Sequence, residues 1–187
     1  MLARLRAHRR SIALSFALTL TAVAAVASAK LARTGAAETT FKASGPAGMS
    51  IVGTSKDTSI VDDGTTVTIT VNLANLSTGI DLRDRHTKEA LETDKYPTTT
   101  LSVARSALKF PGDGGTTSGD TTGTMTLHGS KKNVSFHYDA KRSGATIDVT
   151  GSTRVNMSDF SMKPPSYLGV SVKDAVDVTT HFGATDG

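Results

Sequence analysis

Val67, Ile69, Val71 and Leu73 alternate with Thr66, Thr68, Thr70 and Asn72. A period of two puts one set on a buried face and the other toward water, so this stretch reads as a half-buried strand. The pattern recurs. Leu101 and Val103 open another strand, and Leu108 and Phe110 carry it on out of phase, with a bulge expected at Arg105. Met125 and Leu127 alternate with Thr124 and Thr126. Val134, Phe136 and Tyr138 alternate with Ser135, His137 and Asp139. Ile147 and Val149 are set among Thr146, Asp148 and Thr150. Val155 with Met157, and Val176 with Val178 and Thr180, mark two more, and Met49 with Ile51 a weaker one. Turn residues separate these runs at Asp62-Asp63-Gly64, Pro111 to Gly115, Gly129 to Asn133 and Ser143-Gly144. Seven or eight regularly spaced strands predict an all-β antiparallel barrel or sandwich.

Two segments depart from this period. Asp81 to Thr93 has no Gly or Pro and is rich in helix formers. It predicts a short helix from about Leu82 to Glu92, capped near Thr78 or Asp81, with Leu82, His86, Ala90 and Leu91 on one face. Such a helix inside a β chain serves to cover a barrel end or an edge. Gly112 to Gly123 is a run of Gly, Thr, Asp and Ser, read as a mobile hairpin loop. It lacks the lysine of a phosphate loop and the spacing of a calcium loop.

Charge changes the picture at the N-terminus. The chain of 187 residues carries a net +4, but residues 1–29 hold Arg4, Arg6, Arg9 and Arg10 and no acid, and beyond them 17 basic residues face 17 acidic ones. An arginine-rich start, an apolar run over 11–26 and Ala27-Ser28-Ala29 form the three parts of an export signal, with cleavage expected after Ala29. The protein is therefore expected in the periplasm or outside the cell. The residues from Lys30 to about 40 read as a flexible tether, and 41–187 as the β domain. A neutral body argues against nucleic acid as a partner. The absence of Cys excludes disulfides, thiolate metal sites and cysteine nucleophiles.

Several short motifs stand in one order: Leu76-Ser77-Thr78-Gly79, Arg83-Asp84-Arg85-His86, Tyr96-Pro97, Gly123 to Gly129, Asp159-Phe160 and Lys173 to Val176. Together they resemble the YceI family. The chain departs from that pattern at Thr87, where the family often has Leu, at Met157, where it usually has Arg, and at Ser161, where it has Gly. The resemblance implies an eight-stranded antiparallel lipocalin-like barrel with one short helix covering an end. It also implies a polyisoprenoid or isoprenoid quinone held inside, with no other cofactor, and a link to membrane cytochrome b-type proteins. Monomer and homodimer both remain open.

No catalytic or metal-ligating arrangement emerges from the residues. His86, His128, His137 and His181 have none of the paired spacings of metal sites, and no G-x-S-x-G elbow is present. A binding protein is expected rather than an enzyme. The residues expected to face the lumen are Val67, Ile69, Val71, Leu73, Leu101, Val103, Met125, Leu127, Phe136, Tyr138, Ile147, Val149, Val155, Met157, Val176 and Val178. Medium aliphatic side chains around an eight-stranded barrel leave room for one slender ligand more readily than large aromatics. Arg83, Arg85 and His86 are the candidates to hold a polar head group. The alternative is a stress or interaction protein whose barrel is filled or promiscuous.

Overall fold

The computed structural model describes residues 30–167 and 169–186. The expected export signal lies outside them. The strands are β1 (Leu31–Ser44), β2 (Ser50–Ser55), β3 (Thr58–Asp62), β4 (Thr66–Asn72), β5 (Thr98–Ala104), β6 (Thr116–Leu127), β7 (Ser130–Ser143) and β8 (Thr146–Asn156). A small hairpin, β9 (Ser166–Tyr167) and β10 (Val170–Ser171), precedes β11 (Ala175–Asp186). The sheet runs β11-β8-β7-β6-β5-β4-β3-β1-β2, and an antiparallel β1–β11 pairing closes it.

Lys56 and Asp57 break one side of the barrel into β2 and β3. β2 pairs with Thr39–Ser44 of β1, and β3 meets β1 again at Ala32 and Val61. The two short strands thus act as one stave, and the structure is a closed eight-stranded antiparallel barrel. Helix α1 (Asp81–Ala90) lies between β4 and β5. Tracing the chain places α1, the β6–β7 turn and the 161–174 segment at one end, here the upper end. The 63–65 turn, the 105–115 segment and the 144–145 turn lie at the lower end.

The structure corrects three expectations. Residues 30–40 are not a tether: β1 starts at Leu31 and pairs along its length with β11. Its buried positions are Leu31, Ala37, Thr39 and Ala43, too small and too polar to register as a hydrophobic period. The register also slips between Thr34 and Ala37, where Gly35 takes a φ of +67° that few other residues tolerate. The Gly112–Gly123 run is not a loop throughout, because β6 begins at Thr116. Its period is hidden since Gly123 is an inward position: a Cβ there would sit 2.8 Å from Leu101. Leu108 and Phe110 do not continue β5. A single 3-10 turn at Arg105–Ala107 ends the strand, in place of the expected bulge, and both side chains fold back onto the lower core.

The lower end is sealed by a buried ion pair between Arg105 and Asp62, whose side chains are 9% and 0% exposed. Asp62 also accepts the Leu31 N–H at 2.9 Å and the Gly64 N–H at 2.8 Å. Arg105 stacks over the Phe110 ring at 4.7 Å. These contacts compensate the cost of removing both charges from water.

Candidate ligand lumen

The inward faces of the staves enclose two apolar chambers. The lower has a volume of about 120 Å3 and the upper about 150 Å3. Of the sixteen residues expected to face inward, Val67, Ile69, Leu101, Val103, Phe136, Tyr138, Ile147 and Val149 line the lower chamber. Leu73, Leu127, Val155, Met157 and Val176 line the upper one. Val71, Met125 and Val178 line both, with Thr39 and Thr99, and so form the waist between them. The Thr39 hydroxyl is satisfied within the wall, bonding Thr180 at 2.9 Å and Thr58 at 3.2 Å. The Thr99 hydroxyl donates to the Thr126 carbonyl at 2.8 Å. The waist therefore presents mostly methyl groups and the Met125 thioether to the lumen.

The lining also includes residues outside those sixteen. Phe182 lies two positions beyond Thr180 on the same face of β11, so extending the alternation would have found it. Phe41 and Ala43 belong to the stretch of β1 whose period is hidden by small residues. Leu108 and Phe110 reach the lower chamber from outside any strand. Pro165 and Val172 reach the upper chamber from the 161–174 segment. No local period signals such placements.

Helix α1 closes the upper end with Thr87 and Ala90, joined by Leu91 just after it. Leu82, expected on that face, is 50% exposed instead. The helix begins one residue earlier and ends two earlier than expected. Its start is organised from within the motif rather than by a capping side chain at Ile80. The Asp84 carboxylate accepts the Thr78 N–H, the Thr78 hydroxyl and the Ser77 hydroxyl. Those bonds, led by the Thr78 hydroxyl, hold Asp84 below the usual carboxylate range.

The head-group candidates do not reach the lumen. The Arg83 Nε donates to the Thr78 hydroxyl at 3.0 Å, and its Nη2 donates to the Thr78 carbonyl at 2.9 Å. Arg83 thus ties the loop before α1 to the helix. Arg85 is exposed and lines an outer groove with Asp81, Asp84, Glu89, Glu92 and Asp94. His86 is exposed, and none of the three lines either chamber. The physical reason is that α1 turns its small and apolar side inward, leaving the charged positions to water.

The barrel exterior carries further charged pairs. His137 Nδ1 lies 2.9 Å from Asp120, and His181 Nε2 lies 3.0 Å from Asp148. The hydrogen bond to Asp120, more than any other contact, raises the His137 imidazole above its ordinary value. Among the described residues no three His, Cys, Asp or Glu converge closely enough to hold a metal ion. No described helix is long and apolar enough to cross a membrane.

Closed staves around an apolar lumen, with a helix across one end, define a lipocalin-like barrel. The chain belongs to the YceI-like domain family, whose pattern its residues 27–184 match. Three solved structures share the fold. A polyisoprenoid binding domain from Saccharophagus degradans is 17% identical, covers 86% of this chain and 99% of its own, and superposes with a TM-score of 0.70. BcnA from Burkholderia cenocepacia is 18% identical, over 80% and 96% of the two chains, with a TM-score of 0.64. The YceI protein of Campylobacter jejuni is 20% identical, over 73% and 85%, with a TM-score of 0.54. Comparison with curated proteins finds no significant match.

Proposed function

We propose that this protein binds, rather than transforms, a long apolar ligand of polyisoprenoid type in the barrel lumen. In this reading the N-terminal segment directs export, and the mature domain stores or carries the ligand outside the cytoplasm. The observation that carries the proposal is the continuity of the apolar lining: two chambers run from the Phe110 end to α1 and share one waist. The Saccharophagus degradans neighbour, a polyisoprenoid binding domain, supports the same ligand class. A branched, flexible chain in such a lumen would be held by release of water and by dispersion, at about 25 cal/mol per Å2 of apolar area.

The chamber sizes set a condition. A cavity of about 150 Å3 accommodates a molecule the size of benzene. A polyisoprenoid would therefore have to part the waist, and Met125, with three rotatable bonds, is the residue best able to give way. The same sizes favour the second reading, an interaction protein with a filled barrel. Lipid extraction and mass spectrometry separate the two, using protein expressed with residues 1–29 intact. Reproducible co-purified isoprenoid is the expected result. Lipid-free protein that also fails to take up added isoprenoid would overturn the proposal.

A further inference from the structure

Glycines that point inward shape the barrel by the side chain they omit. A Cβ at Gly53 would run into the Phe41 ring, one at Gly119 would lie 3.2 Å from the Tyr138 ring, and one at Gly123 would lie 2.8 Å from Leu101. At these positions a neighbouring side chain already occupies the space. Gly151 is different. It follows Ile147 and Val149 on the inward side of β8 and lines the lower chamber. A Cβ there would meet only the His137 carbonyl oxygen within 4 Å, at 3.9 Å. Gly151 lies inside a strand and is not among the positive-φ glycines, so backbone conformation does not require a glycine here.

The flanking residues explain why this space stays open. Tyr138 of β7 and Thr180 of β11 stand opposite Gly151 on its two sides. Tyr138 leans over Gly119 of β6, and its hydroxyl accepts the Lys109 N–H at 2.8 Å. Thr180 turns toward β1, where its hydroxyl bonds that of Thr39 at 2.9 Å. Both flanking side chains are thus held away from Gly151. The lower chamber widens there by the room of the missing side chain, two cross-strand steps from Thr39 of the waist.

We infer that Gly151 determines ligand selectivity: the space beside it takes a methyl branch of an isoprenoid chain, so the lumen favours a branched chain over a straight one. The inference rests on the ligand reading above and adds the residue that makes the lumen wide enough for a branch. A valine at this position would put its own methyl groups where the branch sits. It would also suit the strand, because β-branched residues are favoured in strands and an interior glycine weakens them.

The test titrates the full, delipidated chain with geranylgeraniol and with hexadecanol, the unbranched alcohol of the same main-chain length, by displacement of an apolar dye. The wild type is expected to bind geranylgeraniol more tightly. Gly151→Val should weaken geranylgeraniol by about tenfold, the equivalent of roughly two lost methyl contacts, and change hexadecanol by less than about threefold. Gly151→Ala should fall between the wild type and Gly151→Val. Both variants should melt no lower than the wild type, because the added side chain enters open space. A wild type without the preference, equal weakening of the two alcohols, or weakening of neither would overturn the branch site while leaving the lumen reading intact. A lower melting temperature in Gly151→Ala would show that the space is filled and overturn it as well. Failure of both alcohols to bind the wild type would overturn the lumen reading, and the branch site with it.

Discussion

The Asp62 carboxylate meets the Arg105 guanidinium at the lower end of the barrel, where the Asp62 side chain is 0% exposed. The pair joins the end of β3 to the turn after β5, and through the Leu31 N–H it also holds the start of β1. Removing one partner leaves the other charge buried and uncompensated. Arg105→Ala is expected to destabilise the protein by about 3–5 kcal/mol in urea unfolding. A loss under about 1 kcal/mol, the level of an exposed pair, would show that water reaches Asp62.

Met125 stands at the waist and is 7% exposed. Met125→Ala should merge the chambers, and truncating a buried Met costs about 2–5 kcal/mol. The variant should also take up a long isoprenoid faster than the wild type, measured by stopped-flow displacement of an apolar dye. Slower or unchanged uptake in a folded variant would mean that the waist is not the barrier.

Ile69 lines the lower chamber, and its cross-strand neighbours are Ile60 and Leu101. Ile69→Asp should lose lipid retention and several kcal/mol of stability, because a carboxylate there has no partner. Wild-type lipid content in a folded Ile69→Asp protein, measured by mass spectrometry, would contradict the lumen assignment.

Arg83 makes two hydrogen bonds to Thr78 and none to the lumen. Arg83→Gln should lower stability by about 1.5–3 kcal/mol, the range for lost bonds to a charged group, and leave ligand affinity unchanged. Calorimetry of melting and of binding on the same sample checks both halves. Unchanged melting with lost binding would return Arg83 to the role of head-group ligand.

His137 is half-buried and hydrogen-bonded to Asp120, with Asp139 adding attraction from its own strand. Its raised imidazole pKa means that the pairing contributes in full below the ordinary value of about 6.5 and is lost as pH rises through the higher folded value. Asp120→Asn should move the His137 titration down toward the ordinary value in an NMR pH series. An unmoved titration would show that Asp120 is not its main partner.

The alternation of Val67, Ile69, Val71 and Leu73 with threonines was sufficient by itself to establish a half-buried strand, and its recurrence an all-β domain. Every one of the sixteen inward positions belongs to such a period or its immediate end, and a pleated strand makes facing a local property. The motif around Arg83 and Asp84 was likewise visible in the chain. Its role was not, because a guanidinium near a helix start looks the same whether it serves a ligand or Thr78.

Other features depended on partners far away in sequence. β1 is a strand because Ala37 and Ala43 pair with Phe182 and Val176 of β11. Small residues carry no hydrophobic period, so only closure of the barrel reveals them. Gly123 is an inward position because Leu101 and Val103 of β5 occupy the space a side chain would take. Asp62 and Arg105, in sequence a turn aspartate and an expected bulge, become a buried pair only once the turn after β5 closes over the end of β3. The chain's local periods thus determined which residues face inward along each strand. Tertiary structure decided which polar residues join that interior, since burial of a charge depends on partners that no local period encodes.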